Sequence, residues 1–241
     1  MKKKKKNVLY EALRSNHKIY EVYLREDVAK SDASFLNKLN QRKIKVHILD
    51  KHQMNQMFDG LHQGYGANIE NFKNYALEDV INPEKRQLFL ILDKLNDPNN
   101  LGAIIRSCDA FSVDAIIIPN KNSIGITETV VKVSTGAIFY TPIVTVSNIN
   151  QTIDKLKKNN FWVIGTDASA NQNISDVKND RNLALVIGSE GYGISNLVAK
   201  NCDYLVKIPM TGHVNSLNAS VSAGIMIYAL ITTFIIGYAI I

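Results

Sequence analysis

Apolar residues fall into short unbroken runs in the second half of the chain and into mixed, shorter periods in the first. Leu88-Phe89-Leu90-Ile91-Leu92 is such a run, suited to a strand covered on both faces. Further runs at Ala115–Ile118, Ile143–Val146, Phe161–Gly165, Leu183–Ile187 and Tyr204–Ile208 predict strands. Helical periods at Leu101–Phe111, Thr127–Ile138 and Asn148–Asn160 separate most of them. Strand and helix in alternation predict a parallel α/β sheet. Before it, Val8–Arg14 and Ser34–Asn40 read as helices, Ile19–Leu24 as extended, and Lys43–Leu49 as a strand with Val46 and Ile48 on one face. These suffice for a small α/β domain. The glycine-punctuated turn Leu61–Ala67, in which His62 is either a loop hydrogen-bonder or a functional group, leads into another extended piece. Asn71–Arg86 is polar, carries Asn82-Pro83 and reads as a linker. The expected division is a basic disordered tail at 1–6, a small domain at 7–75, a linker at 76–86 and a larger domain at 87–241.

A chain of 241 residues with 46% hydrophobic content holds enough apolar surface for a real core. The formal charge of +6 favours an acidic partner such as nucleic acid, although the consecutive lysines Lys2–Lys6 supply most of the excess. That run reads either as a solvated tail or as a non-specific attraction for RNA. Arg14, Lys18, Arg25, Arg42, Lys43, Lys45 and His47 form a candidate phosphate-contacting face, against ordinary surface charge. Cys108 and Cys202 are far apart and no C-x-x-C or H-E-x-x-H occurs, which supports neither zinc nor a disulfide scaffold; no metal is expected. The N-terminus lacks a signal-peptide pattern, giving a cytoplasmic expectation. Val221–Ile241 is uncharged and long enough to span a bilayer. Its polar residues Ser222, Thr232 and Thr233 favour a buried or dimer-interface helix instead.

Two loops carry the candidate chemistry. Gly188-Ser189-Glu190-Gly191-Tyr192-Gly193 follows one apolar run, and Pro209–Ser216 follows the next before a helix entered at Asn218. Two such exits are expected side by side at the carboxyl ends of strands, where open α/β sheets bind ligands. Glycines permit close backbone approach, and Ser216, Asn218 and Ser220 surround a helix start that can cap N–H groups. The glycine spacing is G-x-x-G-x-G, which is neither the dinucleotide fingerprint nor a phosphate loop. Upstream, Asn96-Asp97-Pro98-Asn99-Asn100-Leu101-Gly102 makes turns and a cap. Arg106, one turn into the following helix, can fork onto a phosphate or form a surface salt bridge.

Three segments in this order resemble the motifs of the SpoU (TrmH) family of ribose 2'-O-methyltransferases, of the SPOUT class. They are Asn96–Gly102 with Arg106, Val186–Gly193, and Ile208–Met210 with Ser216–Val221. The resemblance covers about Leu88–Leu230. The amino-terminal part, with Val8–Arg14 and Leu61-His62-Gln63-Gly64, is similar to the substrate-binding domain of the bacterial 23S rRNA guanosine-2'-O-methyltransferase branch. The resemblance implies a parallel SPOUT sheet with a C-terminal trefoil knot, in which the chain after Ile208 threads an earlier loop. It also implies a homodimer packed partly through the C-terminal helix, from whose more polar family form the tail Thr232–Ile241 departs.

The implied cofactor is S-adenosylmethionine, contacted by Gly188, Ile208 and Leu217, and the implied partner is RNA, rRNA ahead of tRNA. The family's proposed base is the position of Arg106. A side chain that stays protonated is a poor base, and holding phosphate while stabilising the developing oxyanion suits it better. Asn96 and Asn218 are expected to orient the ribose or nearby loops, Ser216 to hydrogen-bond in the same pocket, and Glu190 to hold Arg106 or a loop backbone. Alternatives are a tRNA methyltransferase, a catalytically silent RNA-binding protein of the same fold, and a membrane-associated protein.

Overall fold

The structure, a computed structural model, describes residues 2–4, 6–58, 60–178, 180–214 and 216–238, the side chains of 233–238 excepted. It falls into two units: Met1–Lys73 with Thr135–Tyr140, and Asn74–Ser134 with Thr141–Ile241.

The first unit corrects the expectation of a disordered lysine tail. Lys2–Lys4 form strand β1, antiparallel to β4 (Tyr65–Ile69). The ammonium of Lys2 lies over the Phe58 ring, and that of Lys3, a buried residue, lies over Phe72. Cation–π contact and ladder pairing, both tertiary, override the self-repulsion of a lysine run. Helix α1 (Lys6–Arg14) buries Val8, Leu9, Ala12 and Leu13. Strand β2 (Ile19–Arg25) leads to α2 (Glu26–Ser31) and α3 (Ala33–Gln41). Strand β3 (Lys45–Leu49) runs parallel to β2, and α4 (Lys51–Met57) precedes β4. The sheet order is β1-β4-β2-β3. Helices α2 and α4 are additions to the sequence reading; α4 is fixed by a reciprocal Asp50–Gln53 capping box. On the face that Val46 and Ile48 share, Val46 is half-buried and Ile48 is 49% exposed.

Asp32 ties this unit together. Its carboxylate accepts from the Tyr10 hydroxyl (2.7 Å) and the Tyr65 hydroxyl (2.6 Å), pairs with the Lys6 ammonium at 3.2 Å and caps α3 at Phe35. Burial opposes ionisation, yet the hydrogen bonds from Tyr65, Tyr10 and Lys6 bring the Asp32 pKa down to about 2. Residues 135–140 belong here through Phe139, whose ring meets His17 and Phe72, and through Tyr140, whose hydroxyl donates to Glu11 at 3.0 Å. Several of the basic residues assigned to a phosphate face are engaged inside the unit: Arg14 with Glu11, Arg25 with Asp27, His47 with Glu21, and Arg42 with the Leu13 carbonyl.

The second unit starts with α5 (Leu77–Val80), which buries Leu77 within the stretch read as linker. Strand β5 (Leu88–Leu92), helix α6 (Pro98–Ala110), strand β6 (Ala115–Pro119) and helix α7 (Glu128–Val133) follow. After them come β7 (Ile143–Val146), α8 (Ile149–Lys158), β8 (Phe161–Thr166) and the short β9 (Gln172–Asn173). The chain ends with β10 (Asn182–Ile187), α9 (Asn196–Lys200), β11 (Tyr204–Lys207) and α10 (Ala219–Tyr238). Thr127–Ile138, expected as one helix, is broken: α7 stops at Val133 and Gly136 takes φ +102.

All pairings in the seven-stranded sheet are parallel, in the order β7-β6-β5-β10-β8-β11-β9. One face packs Phe89, Ile91, Ile117, Val163, Ala184 and Val186 against Ile153 and Leu156 of α8 and Val198 of α9. The alternate residues, including Leu90, Leu92, Leu183 and Leu185, are buried as well, which is why these strands read as continuous apolar runs. Helix α10 packs on α6 and β10. Among the described residues no helix is long and apolar enough to cross a membrane, and Ala239–Ile241 lie outside them.

His62 is a loop hydrogen-bonder. Its Nδ1 accepts from the Gly64 N–H at 2.9 Å and its Nε2 donates to Asn55 Oδ1 at 2.8 Å, an arrangement that requires the neutral ring. Burial first, then the charges of Arg25 and Lys4, lower its pKa below 6.5. The folded ring therefore binds fewer protons than the unfolded one. Its contribution to stability is complete above about pH 6.5 and is lost as pH falls from there through the folded pKa. Chemical denaturation between pH 5 and 7 is expected to show a midpoint that drops on acidification in the wild type and drops less in His62→Gln. Equal slopes would remove His62 from this role.

Candidate active site

The loop after β10 closes on itself. Ser189 N–H donates to the Gly193 carbonyl at 3.1 Å and Gly193 N–H returns to the Ser189 carbonyl at 2.9 Å. Gly191 (φ +83) and Gly193 (φ +63) supply the left-handed turns. Gly188 has a different reason to lack a side chain: a Cβ there would overlap Gly193 and the Ile194 nitrogen.

Below the loop, Asp93 is only 3% exposed. Its N–H donates to the Ile187 carbonyl at 2.8 Å, and its Oδ2 accepts from the Ser195 N–H at 2.7 Å. A buried carboxylate thus fastens the far end of the loop to the exit of β5. Asp93 was not among the candidate residues. The available signal was a charge ending an apolar run at a strand's carboxyl end.

The second loop leaves β11 and reaches α10. Asn218 stands before that helix; its Oδ1 accepts from the Ser220 N–H (2.9 Å) and hydroxyl (2.6 Å), satisfying a first-turn donor. Its Nδ2 donates to Glu190 Oε2 at 3.3 Å, joining the two loops. Glu190 therefore pairs with Asn218; Arg106 forms no ion pair among the described residues.

The two loops are not neighbours through their strands, because β8 lies between β10 and β11. They still share one cleft of about 570 Å³, and the turn after β8 completes it with Thr166 and Asp167. Gly188, Glu190, Ile208, Ser216 and Leu217 all line this cleft, with Ile187, Ile194 and Met226 among its apolar residues. Asn96, Arg106 and Asn218 do not line it; Asn96 and Arg106 are exposed, at the approach to α6 and within it.

Asp167 is a further residue that sequence reasoning passed over. The hydroxyl and the N–H of Ser169, each at 2.7 Å, hold its carboxyl below the usual range, so an anion is fixed at the cleft wall. Neither cysteine offers a nucleophile: burial pushes the Cys202 thiol up to about 12 and raises Cys108 further. Among the described residues no cluster could hold a metal ion.

The model of the SpoU rRNA Methylase family matches residues 87–228, and that of the RNA 2'-O ribose methyltransferase substrate-binding domain matches residues 6–75. The chain is 41% identical over 228 residues to the Bacillus subtilis protein described as "Putative TrmH family tRNA/rRNA methyltransferase YacO", covering 92% of each. A Staphylococcus epidermidis relative of the same family description is 40% identical over the same length, again covering 92% of each chain. Among solved structures, the SpoU methyltransferase AviRb of Streptomyces viridochromogenes, crystallised with AdoMet, superposes with a TM-score of 0.83. The match covers 98% of this chain and 90% of AviRb at 22% identity, a likeness of fold.

The closure of the glycine loop can be tested by volume alone. Gly188→Ala is expected to cost about 1–3 kcal/mol as overpacking, lowering the thermal midpoint by roughly 2–10 °C. Gly212→Ala, where a Cβ meets nothing within 4 Å and φ is not positive, should melt close to wild type. Equal melting of the two variants would show that the loop opens freely.

Proposed function

Because this chain belongs to the SpoU rRNA methylase family, we propose that it methylates the ribose 2'-hydroxyl of a guanosine in 23S rRNA, using S-adenosylmethionine in the cytoplasm. The observation that carries this reading is the single cleft in which segments of the second and third motifs meet through Glu190 and Asn218.

The residues present fit the cofactor. A volume of about 570 Å³ is within the range of small-molecule sites. Apolar side chains suit an adenine, and Gly188, Ile208 and Leu217, which line the cleft, have backbone groups to offer its polar edges. The fixed Asp167 anion suits a cationic ligand. Bound there, S-adenosylmethionine supplies a methyl carbon activated by a sulfonium.

The chain's own residues position the other reactant. Arg106 holds an RNA phosphate through its planar fork and stabilises the 2'-oxygen as its proton leaves. Asn96 and Asn218 orient the ribose, Ser216 hydrogen-bonds within the cleft, and Glu190 keeps Asn218 in place. The match of residues 6–75 to an RNA 2'-O ribose methyltransferase substrate-binding domain supports an RNA substrate. The trefoil threading of the chain after Ile208 is part of this reading, supported by the packing of α10 on β10, α6 and residues 174–176.

A homodimer is also part of it. Val221, Ile225 and Tyr228 lie on one side of α10 and are 40–56% exposed, an apolar stripe with helical spacing. Gly224 of the same helix lies beside Ser107, the neighbour of Arg106, so a partner seated on this stripe would approach the arginine.

Labelled methyl transfer from S-adenosylmethionine to unmodified 23S rRNA and tRNA transcripts tests the reaction. Label is expected in 23S rRNA as an alkali-resistant dinucleotide; label only in tRNA would replace the substrate, and none on either would overturn the activity. Arg106→Ala is expected to lower kcat about 100- to 1,000-fold, with S-adenosylmethionine affinity within twofold. A rate within a few-fold of wild type would release Arg106 from its role. In sedimentation, Ile225→Glu should convert a dimer to a monomer; an unchanged mass would exclude this stripe as the interface.

A further inference from the structure

Tyr192 is the most exposed large apolar side chain among the described residues, at 93%. It stands at the tip of the loop closed by the two Ser189–Gly193 backbone hydrogen bonds, between two glycines in left-handed backbone. A Cβ at either glycine would meet nothing within 4 Å, so the tip is open on both sides. The loop base is anchored to the body of the unit by the close packing at Gly188 and by the Asp93–Ser195 hydrogen bond. The ring nevertheless belongs to the cleft wall, beside Glu190. Among the described residues no other ring, cation or hydrogen bond engages it. A large aromatic face is thus exposed to water beside the cleft, on a loop whose base is closed by two backbone hydrogen bonds.

We propose that Tyr192 is a positioning residue that stacks on the base of the nucleotide whose ribose enters the cleft. The inference rests on the reading of this cleft as an RNA ribose methylation site. A ribose can reach a recessed site only if its nucleotide leaves the surrounding stack, which forfeits base–base contact. An aromatic ring at the rim restores that contact for any base, because every base presents a π face. The ring therefore contributes affinity and placement of the ribose, while the identity of the base is read elsewhere.

The test compares wild type, Tyr192→Ala and Tyr192→Phe by filter retention of a labelled in vitro 23S rRNA transcript, with S-adenosylmethionine affinity measured separately by calorimetry. Tyr192→Ala is expected to weaken RNA retention roughly five- to hundredfold and to raise the KM for RNA in parallel. Tyr192→Phe keeps the face and is expected within twofold of wild type. Cofactor affinity should be unchanged in both. The proposal is overturned if Tyr192→Ala retains RNA like wild type, or if Tyr192→Phe is equally impaired, which would assign the effect to the hydroxyl. It is also overturned if cofactor affinity falls by the same factor, or if Tyr192→Ala changes the sedimenting mass. A wild type that retains the transcript but transfers no methyl would defeat the methylation reading, while retention by the variants would still decide the stacking contact.

Discussion

At Gly188 the backbone after β10 passes so close to Gly193 and Ile194 that no side chain fits, and the cleft depends on that approach. A side chain on the residue after the strand would push against Gly193 and Ile194 and strain the turn that makes the Ser189–Gly193 hydrogen bonds. Glu190 would then not reach Asn218, and the turn before α10 would lose its link to the glycine loop. Asp93 reinforces the closure from beneath. It is a charge buried next to apolar strands, tolerable because a backbone N–H is aimed at it. The closure of the glycine loop is therefore set by backbone packing, with side chains such as Ile187, Ile194 and Met226 lining the cleft it borders.

The central position of β10 explains why the catalytic half was legible. Strands covered on both faces carry apolar residues at every position, so β5, β6 and β10 stand out in the sequence without any knowledge of their partners. The two loops could be located because they follow such runs. What could not be read was the place of β8, between β10 and β11. Strand order is a property of crossovers, and spacing along the chain does not encode it. Asp93 and Asp167 were passed over for a related reason. Each is an ordinary acidic residue until the fold brings the N–H of Ser195, or the hydroxyl and N–H of Ser169, against it.

The amino-terminal unit was less legible because its determinants are tertiary. A lysine run has no reason to become a strand until Phe58 and Phe72 present their faces to it and β4 offers an open edge. Covering that edge with cationic side chains also discourages pairing with a further strand. Residues 135–140 join this unit from far along the sequence, through Gly136 beside Glu11 and Phe139 between His17 and Phe72. A boundary drawn by composition alone cannot anticipate a segment that leaves one unit for another and returns. The same fold consumes charges that sequence assigned to RNA: Arg25 and Arg42 are spent on Asp27 and on a carbonyl, leaving Lys43 and Lys45 exposed.

In the proposed reaction, the distribution of charge around the cleft bears on how the 2'-hydroxyl is activated. Glu190 already accepts a hydrogen bond from Asn218, and Asp167 has its carboxyl lowered by Ser169, which weakens it as a base. Both cysteines are held as thiols by burial. In the proposed reaction, orientation and stabilisation of charge therefore carry the larger share of the rate. In the proposed reaction this gives weight to holding the ribose still, the part assigned above to the exposed Tyr192 ring.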